Sequence, residues 1–169
     1  MLNIKAISKF VIIFFLFFTN SYSIEKVAFI NIDLVIKRSN IGIVMLKKIE
    51  TLNNQNIEKL KIKQSELKDL EDEIKKKQNI ASKDEINKEL DTLKKKIKQY
   101  NEEKDILVSE FKNFKKKELD LIMDKINPIV QKYMKDNSIE LLFDSKNVYI
   151  GDKRSDLTEI IINEINATF

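Results

Sequence analysis

The side chains able to do chemistry in this sequence are almost all lysines and carboxylates, and their spacing favours attraction over catalysis. Three lysine triplets stand out: Lys75-Lys76-Lys77, Lys94-Lys95-Lys96 and Lys115-Lys116-Lys117. Grouped cations concentrate and steer acidic partners, an effect that weakens with salt. The same triplets also read as the solvated face of a helix pair, with Glu71, Asp72, Glu73, Glu102 and Glu103 as ion-pair partners. The acids sit at helical charge-pair spacing with no pocket-forming segment around them. Nothing is therefore set up to raise a carboxylate pKa for acid–base work.

What is missing narrows the chemistry further. The 169 residues include no His and no Cys, which excludes zinc sites of the usual N/S type, thiol or Ser–His nucleophiles, and disulfides. Gly42 and Gly151 are the two glycines, too far apart for a phosphate-cradling loop or a dinucleotide fingerprint. No cofactor is expected. Charged residues make up 34% of the chain, with a single Pro, a composition of long helices with solvated faces. It describes a binding or structural protein better than an enzyme.

Met1 to Ser23 reads as a secretory signal peptide. Lys5 and Lys9 give a positive start, and no acid occurs before Glu25. Phe10 to Phe18 is an unbroken apolar run, and Ser21-Tyr22-Ser23 offers small residues for cleavage. That run falls well short of the roughly 20 apolar residues that span a bilayer. An uncleaved membrane anchor is the alternative. Cleavage after Ser23 leaves residues 24–169 and removes two lysines, taking the net charge from +4 to +2. The expected destination is the periplasm.

The remaining chain divides into three parts. Residues 24–38 are apolar, and Lys26 to Asp33 is rich in β-formers. Residues 39–136 are highly charged and helical in pattern. Residues 137–169 return to strands and a helix. In the middle part, Ile86, Leu90, Leu93, Ile97, Tyr100, Leu107, Phe111, Phe114 and Leu121 form a heptad seam, with Lys104 and Glu118 in its skipped positions. A looser stripe precedes it: Ile49, Leu52, Leu60, Leu67, Leu70 and Ile74, with Lys63 and Lys77 on the same face. Between them the pattern lapses at Asn79-Ile80-Ala81, and Ser82 to Glu85 is a capping box. The spacing predicts an antiparallel helical hairpin with its tip near 79–82 and arms of roughly 60 Å. A single continuous helix in a parallel dimer is the competing arrangement. Pro128 is expected to kink or restart the second helix.

After a cap at Asn137, Ile139–Phe143 and Val148–Ile150 read as two strands joined by a hairpin turn at 144–147. Asp156-Leu157-Thr158-Glu159 opens a last helix whose buried face is Leu157, Ile160, Ile161 and Ile165. The fold class is thus α+β, mostly α: a small β-rich body with a long hairpin inserted. The body, built from 24–38 and 137–169, makes a marginal core. Without disulfides or good metal ligands, it is expected to gain stability by oligomerising.

Lys26-Val-Ala-Phe-Ile-Asn-Ile-Asp33, Ser138-Ile-Glu-Leu-Leu-Phe-Asp144 and Asp156-Leu-Thr-Glu-Ile160, set around a charged hairpin, resemble the Skp/OmpH family of periplasmic chaperones. The resemblance covers essentially the whole chain after the signal peptide. It implies a homotrimer whose body carries three coiled-coil tentacles around a cavity. That cavity would hold unfolded outer-membrane proteins without ATP. A transient contact with the membrane surface is also compatible with the basic tentacles. At +2, the cleaved chain is less basic than the family it resembles.

On that basis the candidate client-binding residues are Lys75, Lys76, Lys77, Lys94, Lys95 and Lys96, which lie near the tip and could face one another across the arms. Ile57, Ile62, Ile80, Ile106 and Val108, apolar but off the heptad seam, complete the set. These five could equally widen the seam or pack against the body. Lys63, Lys77 and Lys104 on the seam are expected to loosen the arms. A structural or tethering coiled coil of the cell envelope is the alternative function. Nucleic-acid binding is disfavoured by the export signal and the lack of interleaved aromatics. There are too few strands for a membrane barrel.

Overall fold

The computed structural model describes residues 26–169, so the signal peptide expected at 1–23 lies outside the described residues. Strand β1 (Lys26–Ile30) is followed at once by helix α1 (Ile32–Arg38). The β-rich reading through Asp33 fails at Asn31. Its side-chain Oδ1 accepts from the Leu34 N–H at 3.0 Å and so starts a helix. Ser39 ends α1 and caps α2 (Asn40–Lys77), its Oγ accepting from the Gly42 N–H at 3.3 Å. Ser82 repeats the device for α3 (Lys83–Asp136), accepting from the Glu85 N–H at 3.3 Å as its capping-box spacing predicts.

Contacts between α2 and α3 fold the chain back on itself. Lys77 pairs with Glu89, Lys63 with Glu103 and Lys48 with Glu118, one residue number falling as the other rises. Ile74 and Ile86 are buried near the turn, and Leu52, Leu60, Leu67, Leu90, Tyr100, Leu107, Phe111 and Phe114 are half-buried along the seam. Three seam expectations need correction. Ile97 is exposed. Lys104 points to solvent, and Glu103 takes the inner place because Lys59 and Lys63 both reach its carboxylate. Leu121 is exposed and Ile122 buried, because here α3 turns a different stripe toward the body core.

Pro128 sits inside α3, which continues unbroken to Asp136 instead of restarting. The proline removes one backbone donor, but Ile126, Ile129, Val130 and Tyr133 on either side of it are packed into the core and hold the helix together. Asn137 caps the end, donating from Nδ2 to the Tyr133 carbonyl at 2.9 Å, and Ser138 makes the turn with a φ of 54°.

Strand β2 (Ile139–Asp144) then lies parallel to β1, with Phe29 opposite Phe143 and Ile30 opposite Asp144. The sheet has two strands, so the body is less β-rich than predicted. Val148–Ile150 is not a strand among the described residues. Asp144 accepts from the Lys146 N–H at 2.9 Å and bends residues 145–147 into a 3-10 turn, diverting the chain before a hairpin can form. The Leu157 N–H instead meets the Phe29 carbonyl at 2.9 Å, tying the next segment to β1.

Helix α4 (Thr158–Thr168) closes the body. Asp156 Oδ1 accepts from the Thr158 N–H at 2.9 Å and from its hydroxyl at 2.5 Å, while the Thr158 oxygen accepts from the Asn31 N–H at 2.9 Å. The helix buries Leu157, Ile161, Ile162 and Ile165; Ile160, expected inside, faces out. These residues join Ala28, Ile30, Val35, Met45, Ile122 and Ile126 in one core. Met45, Ile122 and Ile126 come from the roots of the long helices. The core therefore draws on the charged segment as well as on the two segments that flank it. Polar staples surround it: Arg38 to Glu159 in a two-pronged pair, the Asn40 N–H to Asn166 Oδ1 at 2.8 Å, and Lys146 to Asp33 at 2.7 Å.

Candidate functional site

The surface available for binding is laid out along α2 and α3. Ile57, Ile62, Ile106 and Val108 are each more than half exposed, and Ile80, in the turn, is 85% exposed. None of the five belongs to the buried core or to the residues packed against it. The first four lie at one level of the arm, within about two helical turns of the point where Lys59 and Lys63 meet Glu103. Ile80 stands apart at the tip.

The lysine triplets are less uniform than their sequence suggests. Lys75 pairs with Glu71 at 2.7 Å on its own helix, and Lys77 crosses to Glu89 at 2.7 Å. Lys94 holds Asp91 at 3.3 Å. Lys76, Lys95 and Lys96 make no ion pair among the described residues. The Lys77–Glu89 crossing also sets the relative height of the two triplets. Lys75–Lys77 lie opposite the stretch around Glu89, and Lys94–Lys96 are displaced toward the body, so the two do not face each other directly. Donating to Glu71 raises the Lys75 pKa, and donating to Glu89 raises that of Lys77, so both stay cationic well into alkali. Hydrogen bonds from Lys59 and Lys63 push the Glu103 carboxyl below its ordinary value.

Two apolar surfaces were missed from sequence. At the root of the arm, Ile41, Val44, Met45, Leu121, Ile122 and Phe169 line a groove, with Lys125 Nζ 5.2 Å from the centre of the Phe169 ring. The signal was present in the run Ile41 to Leu46, broader than one heptad stripe. On the body, Val27, Leu141 and Phe143 are about half exposed on the sheet, and beside them Tyr149 and Ile150 are almost entirely so. Among the described residues no group of three or more metal-ligating side chains comes together. No described helix is long and apolar enough to cross a membrane. The arrangement offers cations and scattered exposed apolar side chains on a long two-helix scaffold.

Residues 26–165 match the family described as OmpH, outer membrane protein (OmpH-like). The chain belongs to the OmpH-like family. The fold agrees with that membership. A crystal structure described as an OmpH-like outer membrane chaperone from Caulobacter crescentus CB15 superposes with a TM-score of 0.76 over 89% of each chain, at 16% identity. At that identity the likeness speaks for the fold. No curated protein matches the sequence. The family resemblance drawn from the strand, turn and Asp156-Leu157-Thr158 segments is thus supported by both the family match and the fold.

Proposed function

We propose that this OmpH-like protein is a periplasmic holdase chaperone that keeps unfolded outer-membrane proteins soluble without ATP. The observation that carries the reading is the arm itself. It is a two-helix scaffold with its seam closed on the inside and Ile57, Ile62, Ile106 and Val108 left exposed among lysines. Contacts of this kind are individually weak and indifferent to client sequence, and many of them together retain an unfolded chain while allowing release. Membership in a family of outer-membrane chaperones supports the same client class.

In this reading α2 and α3 form an antiparallel coiled-coil tentacle and the body assembles three protomers around a cavity. Support for assembly comes from a two-stranded sheet whose Val27, Leu141 and Phe143 lie half exposed beside Tyr149 and Ile150. A sheet of two strands is marginal alone. The signal peptide would deliver the chain to the periplasm. The deciding experiment is light scattering of residues 24–169, alone and with a urea-denatured outer-membrane barrel diluted into buffer. A trimer that holds the barrel in a soluble, stoichiometric complex without ATP is expected. A monomer or dimer that lets the barrel aggregate would overturn the proposal and favour an envelope tether.

A further inference from the structure

Four ion pairs cross between α2 and α3 at three levels, lysine on α2 and glutamate on α3 each time. Lys59 joins Lys63 on Glu103, and successive levels lie 15 and 14 residues apart. Lys48 meets Glu118 at 3.6 Å, Lys63 meets Glu103, and Lys77 meets Glu89 at 2.7 Å. The step from Lys48 to Lys63 on α2 equals that from Glu118 to Glu103 on α3, and the step from Lys63 to Lys77 equals that from Glu103 to Glu89. Each step is about two heptads, roughly 21 Å along the helix. The glutamates sit deepest, their side chains 15–24% exposed, and the lysines reach over them from the seam's edge. Between these layers the seam is largely apolar, apart from half-buried Asn53 and Asn56 between the first two.

We infer that the three layers are a pairing code that fixes the register of α2 against α3 and refuses pairing of either helix with the same helix of another copy. The near-equal spacing, 15 and 14 residues, is what gives the code its reach. If α2 met α2 of a second copy in parallel, Lys48, Lys63 and Lys77 would face their own equivalents. Run antiparallel and centred on Lys63, Lys48 would face Lys77, again like against like. The glutamates of α3 obey the same symmetry about Glu103. Like charges in a half-buried seam destabilise it, and opposite ones select the partner. A slip of one heptad within the arm strands all six charges opposite other positions, and a slip of two heptads leaves one lysine and one glutamate unmatched. Leu67, Leu70 and Leu93 would accept any of these alternatives. The code excludes them, and matters most wherever several copies sit close together.

The test uses the full chain after the signal peptide in two charge-reversed forms. One has Lys48, Lys63 and Lys77 all changed to Glu; the other has Glu89, Glu103 and Glu118 all changed to Lys. Alone, each should exchange its arm amides at least tenfold faster than the parent, while amides around Ile126 and Ile161 stay protected. Mixed, the two should recover slow arm exchange and give mixed-mass complexes by native mass spectrometry, α2 of one form pairing with α3 of the other. The chain carrying all six changes should behave as the parent. Parent-like exchange in either triple variant would overturn the code, as would failure of the mixture or of the six-fold variant to recover. A control with Lys47, Lys61 and Lys68 changed to Glu carries the same net charge off the seam. If it loosens the arm equally, overall charge and not the code is responsible.

Discussion

Gly42 lies directly against the carbonyl of Ile36: a Cβ at position 42 would overlap the Ile36 oxygen. That approach fixes the corner between α1 and α2, where Ser39 is fully buried and caps the second helix. Gly42→Ala must push two backbones apart, and no side chain can move to make room. A loss of about 3 kcal/mol or more is expected, read as a lowered denaturation midpoint. Gly151→Ala is the comparison. Its new methyl meets the Phe29 ring at 2.5 Å, a side chain and not a backbone, so it should cost clearly less. Equal costs would mean the corner can relax.

Neighbouring positions on α3 should respond very differently to truncation. Ile122 is 4% exposed within the body core and Leu121 is 48% exposed beside the root groove. Ile122→Ala should cost about 2–4 kcal/mol and Leu121→Ala under about 1 kcal/mol, by chemical denaturation. A reversed order would place the heptad phase, and not the observed one, in the core.

Arm stability should depend on pH through Glu103. Lys59 and Lys63 hydrogen-bond its carboxylate, Lys59 at 2.8 Å, and hold its pKa below the ordinary value. A depressed folded pKa contributes in full above the unfolded value near 4.3 and is lost as pH falls through the folded one. Lys77 is the opposite case: its raised pKa contributes below the unfolded value near 10.4 and is lost as pH climbs past the folded value. Thermal melts of the arm should be flat from about pH 6 to 9. Glu103→Gln should melt lower at pH 7, and the gap to the parent should close below about pH 4. A constant gap at all pH values would exclude the ion pairs as its source.

Client retention should respond to the exposed apolar residues without a stability penalty. Changing Ile57, Ile62, Ile106 and Val108 to Ser should weaken binding of an unfolded barrel about tenfold or more. The midpoint of thermal unfolding should stay within about 2 °C. Retained affinity would move the contact elsewhere, first to the root groove around Val44 and Phe169.

Electrostatic capture has a separate signature. Changing Lys76, Lys95 and Lys96 to Gln removes three cations that make no ion pair among the described residues. The association rate with an acidic client should fall several-fold at low salt and converge with the parent's near about 0.5 M salt, where the screening length is only a few ångströms. A salt-independent rate in the parent would rule out steering.

The long helices were legible because their evidence repeats. Seven-residue apolar steps and one Ser82–Glu85 box set their faces and the break between them. The body was harder to read. Val148-Tyr149-Ile150 has strand chemistry, but strand pairing depends on a distant partner, and a single Asx turn at Asp144 redirected the chain. Ile160 and Ile162 are equally apolar, and which one is buried depends on how α4 lies against Val35 and Ile126. The exchange of Lys104 for Glu103 in the seam was invisible for the same reason: only the facing Lys59 and Lys63 decide it. For Ile57, Ile62, Ile106 and Val108 the place off the heptad left exposure and packing equally open, and only the folded arm shows them exposed.

The parallel pairing of β1 with β2 has a kinetic consequence. Phe29 and Phe143 are register partners from opposite ends of the described chain, so direct closure of that loop is entropically costly and slow. The turn at 78–82, by contrast, joins neighbours in sequence. Zipping from Ile74 and Ile86 downward brings Ile41 beside Ile122 step by step, each step closing a short loop. The arm is therefore the folding route for its own root. A substitution that delays zipping at the distal end should slow formation of a sheet roughly 60 Å away while leaving that sheet's final stability untouched.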